Sequence, residues 1–410
     1  MKDSPLVANI ADWLYRQALI SAEIEATVGE LGNKLLAGGI PVCRINVGGM
    51  LLHPVLGAVD VTWESITDKV TSQAVPRSFI ATEAFRNAPF YNMGLHNVRF
   101  ERFDLRTVNV RKMYPVLENL ASLGITDYLA FFETFGQSRK MEWAGLPPSA
   151  EGSYLSYSTK RLSGFDNDEI AKLADLSLPF SLAMKVAVDK MLTITLLETY
   201  LGKTSGKSVY SGDTSQGDGQ NIDCVLWYSD LRNSTSLAAS MGLVDYLSLI
   251  NEYYSCTAGS VLDHGGEVLK FIGDGILAIF PYDDDSRPLR DMTNAAVMTA
   301  KDSLTRNVLN NKEREEVGQV PLSFGIGLHV GQVMYGNVGT EQRLDMTVTG
   351  PAVNEVTRYE MLTKELQSAI LMSADFKDSY HGKLQSFGHQ ELKGLPTPKE
   401  VFGLSEKNTQ

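Results

Sequence analysis

The sequence predicts an α+β fold for its second half, preceded by a separate α/β domain. Three observations carry this. At 410 residues the chain exceeds what one ordinary hydrophobic core organises. The stretch 202–221 is rich in Gly, Ser and Asp and almost free of apolar side chains, which reads as a linker. Beyond it, short apolar runs alternate with segments of helical period, the pattern of strands mixed with helices. The expected organisation is a first domain over 1–200, a linker over 201–221 and a second domain over 222–410.

In the first domain, Leu6, Ile10, Leu14, Leu19 and Ile24 recur near the helical period and predict one helix over 6–37, ended by Gly38-Gly39. Strands are expected over 41–47, 51–63 and 98–105, a helix over 115–135 and a polar-alternating strand over 153–159. A long final helix opens at Gly164-Phe-Asp-Asn-Asp-Glu169, which offers several capping side chains. This order, with Gly164-Phe-(x)3-Glu169-Ile170 at the mouth of the last helix, resembles a GAF-type sensor domain. The resemblance implies a small-molecule or protein signal, and the residues leave its identity open; there is no Cys–His chromophore signature or metal cluster. Phe180, Met184, Ala187, Met191 and Ile194 step by four, three, four and three, which suits either a short coiled-coil seam or a helix packing on its own domain.

Composition narrows the class. With 43% apolar and 21% charged residues the chain is globular. A net charge of −12 argues against a nucleic-acid binder, which needs a basic face. Cys43, Cys224 and Cys256 are odd in number and unpaired in spacing, as suits a reducing compartment. The start lacks a signal-peptide layout, and the most apolar stretch, Leu176 to Leu197, contains Lys185, Asp189 and Lys190, so a soluble cytoplasmic protein with no bilayer span is expected.

In the second domain, strands are expected over 222–229, 267–272, 276–280, 321–330 and 332–338, with helices over 243–262, 287–309 and 352–364. Gly202-(x)3-Gly206-Lys-Ser208 is one residue short of a phosphate-binding loop and follows no strand, so it is rejected. The informative residues are Asp230, ending the apolar run Cys224-Val-Leu-Trp-Tyr-Ser, and Asp274, in Lys270-Phe-Ile-Gly-Asp-Gly. Each sits where a short strand gives way to a turn, which brings two carboxylates together at one sheet edge. An Asp pair without His or Cys suits hard cations such as Mg²⁺ or Mn²⁺, and a pair of those ions suits in-line attack on a phosphate ester. Taken singly, Asp230 also reads as a helix cap and Asp274 as a turn residue. His264 and His329 have no second ligand at metal spacing and read as structural.

Four ordered blocks resemble the class III nucleotidyl cyclases: Trp227-Tyr-Ser-Asp-Leu-Arg-Asn-Ser-Thr235, His264-Gly-Gly-Glu-Val-Leu-Lys-Phe-Ile-Gly-Asp-Gly275, Gly325-Ile-Gly-Leu-His-Val-Gly-Gln-Val-Met-Tyr-Gly-Asn337 and Thr347-Val-Thr-Gly-Pro-Ala-Val-Asn-Glu-Val-Thr-Arg358. The match covers about 222–404. It implies a ferredoxin-like, palm-like core and cyclisation of a nucleoside triphosphate with loss of pyrophosphate. By position it makes Asp230 and Asp274 ligands of two metal ions, Lys270 and Thr347 the purine-selecting pair, Asn354 the ribose-orienting residue, Arg358 the transition-state cation and Lys393 a triphosphate ligand. An ammonium only donates, which suits adenine N1 and not the guanine N1–H. Lys with Thr therefore implies ATP and a bacterial subgroup, some members of which respond to bicarbonate. Asn233 stands where the family often has Gly, Met346 where Tyr is usual and Pro351 where Asp is usual. The family also implies a homodimer, with the Asp pair on one protomer and Asn354 and Arg358 on the other. The competing expectations are a guanylyl cyclase and a silent nucleotide-binding regulatory module.

Overall fold

The structure, a computed structural model, describes residues 4–50, 56–76, 78–79, 82–135, 152–283 and 285–405. The chain divides into two compact units, Met1–Leu196 and Leu197–Gln410.

The first unit begins with two helices rather than the single one expected. α1 (Pro5–Leu19) and α2 (Ile24–Ala37) are separated at Ser21, whose φ of 49° is left-handed. The strands β1 (Arg44–Met50), β2 (Leu56–Glu64) and β3 (Lys69–Pro76) follow; residues 51–55 of the expected 51–63 strand lie outside the described residues. Then come α3 (Glu83–Arg86), α4 (Pro89–His96), β4 (Phe100–Asp104), α5 (Val108–Arg111), α6 (Pro115–Ser122), β5 (Asp127–Thr134), β6 (Gly152–Thr159) and α7 (Asn167–Leu201). The strands form one sheet in the order β3-β2-β1-β6-β5-β4, every pair antiparallel.

The helix expected over 115–135 is a correction. It stops before Gly124, φ +82°, and 127–134 is strand β5. Residues 127–132 are all buried because both faces of β5 are covered. Leu129 and Phe131 join the core beneath α1, α2 and α7, while Tyr128, Ala130 and Phe132 join a second cluster with Met93 and Leu117. A strand buried on both faces has no alternation, so periodicity does not separate it from a buried helix. Phe180, Met184 and Val188 are buried in the first core with Ala187 and Met191 against it, so this part of the α7 seam packs on its own unit. Buried Asp127 accepts from Arg102 (2.7 and 3.1 Å) and from the Phe165 N–H (2.9 Å). A Cβ on Gly164, φ +73°, would stand 2.6 Å from Asp127 Oδ2, which is the physical reason for a glycine there.

The second unit contains α8 (Lys203–Ser211), β7 (Gly219–Leu231), α9 (Ser234–Ser240), α10 (Leu243–Asp263), β8 (Glu267–Ile272), β9 (Gly275–Pro281), α11 (Leu289–Glu316), β10 (Phe324–Thr340), β11 (Arg343–Thr349), α12 (Pro351–Glu365), β12 (Ile370–Ser373), α13 (Ala374–Ser379), β13 (Leu384–Gln390) and β14 (Lys399–Leu404). Eight strands make one mixed sheet, ordered β13-β14-β12-β10-β7-β9-β8 with β11 on β10; β10 and β12 run parallel, the other pairs antiparallel. This is the expected α+β domain. The two strands expected over 321–338 are one continuous strand, β10. Within the expected linker, 203–211 is helix α8, held by a bond between the buried Ser205 and Tyr335 and by Thr204 N–H donating to Glu267 Oε1 (3.0 Å). Low local apolarity predicted no helix there, and tertiary packing overrides it.

The sheet's inner strands bury Val225, Trp227, Ala278, Phe280, Ile326 and Leu328 against α10 and α11, while Leu226, Leu277, Val333 and Val348 meet α12 on the other side. α12 approaches β10 at a pair of glycines: a Cβ on Gly327 would stand 2.5 Å from Val356 O. That close approach carries α12 over the strand end where the acidic residues lie.

Candidate active site

β7 is buried from Cys224 to Trp227, so burial holds the strand while the half-buried Asp230 sits near its C-terminal end. Asp230 pairs with Gly275 on β9 and with Gly325 on β10. Both neighbours lack side chains for a steric reason. A Cβ on Gly275 would stand 2.7 Å from Tyr228 Oη and 3.1 Å from Asp230 Oδ1. Asp274 lies in the tight turn between β8 and β9, after Gly273 with φ +65°, and its carbonyl accepts from the Leu231 N–H (3.1 Å). The turn thereby brings Asp274 beside Asp230.

Electrostatics records that closeness. The Asp230 carboxyl is pushed up to about 6, first by burial and then by the charge of Asp274, against a lowering hydrogen bond from Leu231. A third carboxylate, Glu360 on α12, is buried and pushed up to about 7 by burial and by Asp230, with Arg232 opposing. Sequence reading missed Glu360; a Glu two residues beyond Arg358 looks like an ordinary helix-surface charge, and only the glycine-permitted docking of α12 brings it here. The charges of Asp230, Asp274 and Glu360 repel one another, and a divalent cation relieves such a set. Among the described residues no group of three or more His, Cys, Asp or Glu side chains stands at ligand distance. Ions held by Asp230 and Asp274 would therefore complete their shells with water and phosphate oxygens, as Mg²⁺ does.

Lys270 lies on β8, and its ammonium forms an ion pair with Asp345 on β11. Asp345 and Thr347 are two apart on one strand and so share a face. The ion pair thus brings Lys270 to the face of β11 that carries Thr347. Asp345 was not singled out from sequence; an Asp in a short polar strand carries no signal until its partner is known.

Asn354 is exposed and Arg358 half-buried on α12, four residues apart and therefore on one helix face. Arg358 Nη1 lies 3.3 Å from Met361 Sδ, one turn along the same helix. Within the chain no hydrogen bond or ion pair among described residues joins Asn354 or Arg358 to Asp230 or Asp274. Pro351 begins α12 at N1, where it costs no hydrogen bond. Asn233 precedes α9 in left-handed conformation, φ 59°, which Asn tolerates. Lys393 is exposed in the turn between β13 and β14, beside buried Leu392 and Gly394 with φ +91°.

The two histidines are structural. His264 Nδ1 lies 2.9 Å from Ser260 O, and His329 Nδ1 lies 2.9 Å from Ser373 Oγ. Burial lowers His329 to about 4, so it is neutral at ordinary pH. No helix among the described residues is long and apolar enough to cross a membrane.

Residues 218–404 match the family described as adenylate and guanylate cyclase catalytic domain. The chain is 29% identical over 211 residues to an adenylate cyclase of Anabaena cylindrica, covering 50% of this chain and 41% of that protein. It is 28% identical over 229 residues to a terminal-differentiation specific adenylate cyclase of Dictyostelium discoideum, covering 56% of this chain and 10% of that protein. The chain thus spans less than half the length of either relative. Among solved structures, the adenylyl cyclase CyaB from P. aeruginosa is 25% identical, with a TM-score of 0.40 over 46% of this chain and 96% of that one. The guanylyl cyclase Cya2 is 26% identical, with a TM-score of 0.40 over the same shares of the two chains.

Proposed function

We propose that this chain, whose residues 218–404 belong to the class III nucleotidyl cyclase catalytic domains, converts ATP to 3′,5′-cyclic AMP and pyrophosphate. The observation that carries the choice of ATP is the placement of Lys270 against the strand face bearing Thr347. In the reaction the ribose 3′-oxygen bonds to the α-phosphorus as its hydroxyl loses its proton, and the bond to the pyrophosphate oxygen breaks.

Lys270 donates to the adenine N1 acceptor, and the Thr347 hydroxyl contacts the same purine edge. Asn354 orients the ribose, Arg358 offers its planar fork to the equatorial phosphoryl oxygens, and the exposed Lys393 pairs with the triphosphate. Divalent ions, Mg²⁺ or Mn²⁺, held by Asp230 and Asp274 would supply the Lewis acid for the 3′-hydroxyl and neutralise the leaving pyrophosphate. The site is shared in a homodimer, with Asp230 and Asp274 from one protomer and Asn354 and Arg358 from its partner. Asn354 and Arg358 lie four apart on α12, the first exposed and the second half-buried, which supports that reading. The first unit acts as a GAF-like sensor that regulates the reaction.

A guanylyl cyclase has one observation in its favour. Asp345 places a carboxylate acceptor beside Lys270, which is what a guanine N1–H would require. Steady-state kcat/KM with ATP and with GTP in Mn²⁺ separates the readings. ATP preferred by at least about a hundredfold supports the adenylyl enzyme, GTP preferred supports the guanylyl one, and no cyclic product from either removes both.

A further inference from the structure

The face of the first unit's sheet turned away from α1, α2 and α7 encloses a cavity of about 410 Å³ that no part of the cyclase chemistry uses. Its floor is a polar row along β1, β2 and β6. Asn46 donates to both Asp60 oxygens (3.1 and 3.0 Å) and to Thr62 Oγ1 (2.9 Å), and Tyr154 Oη donates to Asp60 Oδ2 at 2.5 Å. Arg44 donates to Thr62 Oγ1 from the far end of the row (3.1 Å). Gly48 makes this floor possible. It faces Tyr154 on one side and Asp60 on the other, and a Cβ there would stand 2.1 Å from the tyrosine's Cζ. With no side chain at Gly48, the ring lies across β1 and reaches Asp60.

The walls are aromatic. Phe90 stacks on Tyr154 with ring centroids 4.3 Å apart, and Phe85 meets Tyr91 edge-on at 5.7 Å. Phe132 closes one side. A lining this rich in aromatic rings suits a planar aromatic guest. Arg44 and Asp60 are the only formally charged side chains among the described lining residues, and their charges cancel. A charged guest would leave one charge uncompensated in an apolar enclosure, which is costly. Asp60 accepts three hydrogen bonds and, as a carboxylate, has room for a fourth.

We propose that this cavity is a binding site for an uncharged, planar, fused-ring aromatic molecule carrying an N–H or O–H donor, with that donor directed at Asp60. The site stands on the first unit alone and is independent of the catalytic assignment.

The test is binding to the full chain, measured by saturation-transfer NMR with competition. The probes are indole, its isostere benzofuran, which lacks the N–H, and the charged relatives indole-3-acetate and tryptamine. Indole should bind about tenfold more tightly than benzofuran, the discrimination one buried hydrogen bond supports, and more tightly than either charged relative. Deleting the donor from the ligand leaves the protein untouched, so misfolding does not confuse this arm. Val75→Phe, on the edge strand β3, and Ala58→Phe, on β2, each push a ring into the cavity and should abolish indole binding at an unchanged melting temperature. Absence of indole binding up to about 1 mM, equal binding of benzofuran, tighter binding of a charged relative, or binding that survives both filling variants would each overturn the proposal. Because the readout is binding rather than turnover, its failure leaves the cyclase reading intact, and a protein inactive toward ATP leaves this one intact.

Discussion

Gly325 lies so close to Glu360 that a Cβ on the glycine would stand 2.5 Å from the carboxylate's Oε1. Gly325 is also the cross-strand partner of Asp230, so one position without a side chain sets both the height of α12 above the sheet and the distance between two acidic groups. Gly325→Ala should force α12 outward, costing about 1–3 kcal/mol as overpacked cores do, and should lower turnover in step. Thermal melting and initial rates check this; an alanine variant matching wild type in both would remove the close-docking account.

Asp230 is a liability to the metal-free fold. An aspartate unfolded titrates near 3.9, and here the carboxyl is raised to about 6, so the stability it contributes is present below about pH 4 and is lost as pH rises to 6. At about pH 7 without divalent ions, Asp230→Asn should therefore be more stable than wild type by about 1–2 kcal/mol, a figure reduced from the full shift for solvent screening. Its turnover should fall by several orders of magnitude, and Asp274→Ala should behave alike in rate. Urea unfolding and cyclase assays read both effects; retention of more than about a tenth of wild-type activity in either variant contradicts the metal assignment.

Base selection rests on Lys270 and Thr347. Lys270→Glu with Thr347→Cys inverts the donor pattern at the purine edge, so kcat/KM for ATP should drop by at least about tenfold, since each lost partner costs about 1–3 kcal/mol. Wild-type protein that turns over GTP as fast as ATP would show that these residues do not select the base.

The shared site predicts complementation. Asp230→Ala and Arg358→Ala should each be inactive alone, whereas mixed heterodimers contain one site with both lesions and one with neither. Activity should return to at most about half of wild type per heterodimer. Heterodimers demonstrated by cross-linking yet inactive would sink the split arrangement in favour of a site within one chain.

His329 gives the second unit an acid limit of opposite sign. Burial lowers its pKa to about 4 from an unfolded value near 6.5, so nothing is lost above pH 6.5, and stability falls as pH drops from 6.5 to 4. The Glu355 carboxylate, 3.9 Å from Nε2, is too distant to offset that burial. His329→Gln should flatten the urea midpoint between about pH 7 and 5, by about 1–2 kcal/mol relative to wild type. A wild-type midpoint independent of pH across that window contradicts the assignment.

What the sequence made legible follows the range of the forces involved. The apolar run ending at Asp230 and the Gly273-Asp274-Gly275 turn are local signals, and the structure has strand and turn there. Residues 127–134 went wrong because burial on both faces erases period two, and 203–211 because α8 gains its place from Tyr335 and Glu267, both far away in sequence. The break at Ser21 was hidden because a left-handed serine looks like any other serine until the chain turns. Glu360 and Asp345 were missed for one common reason: each acquires its meaning from a partner on another element.

Helix α8 has a practical corollary for anyone who would excise the catalytic half. Ser205 is fully buried with its hydroxyl joined to Tyr335, and Gly206 meets the backbone of Leu197 and Glu198, a Cβ there standing 2.5 Å from Glu198 N. A fragment cut at the start of β7 would remove the buried Ser205 partner of the Tyr335 hydroxyl together with the helix that carries it. A cut before Leu197 keeps that brace, so the minimal autonomous fragment is set by one phenol ring and one small alcohol rather than by the borders of a homology match.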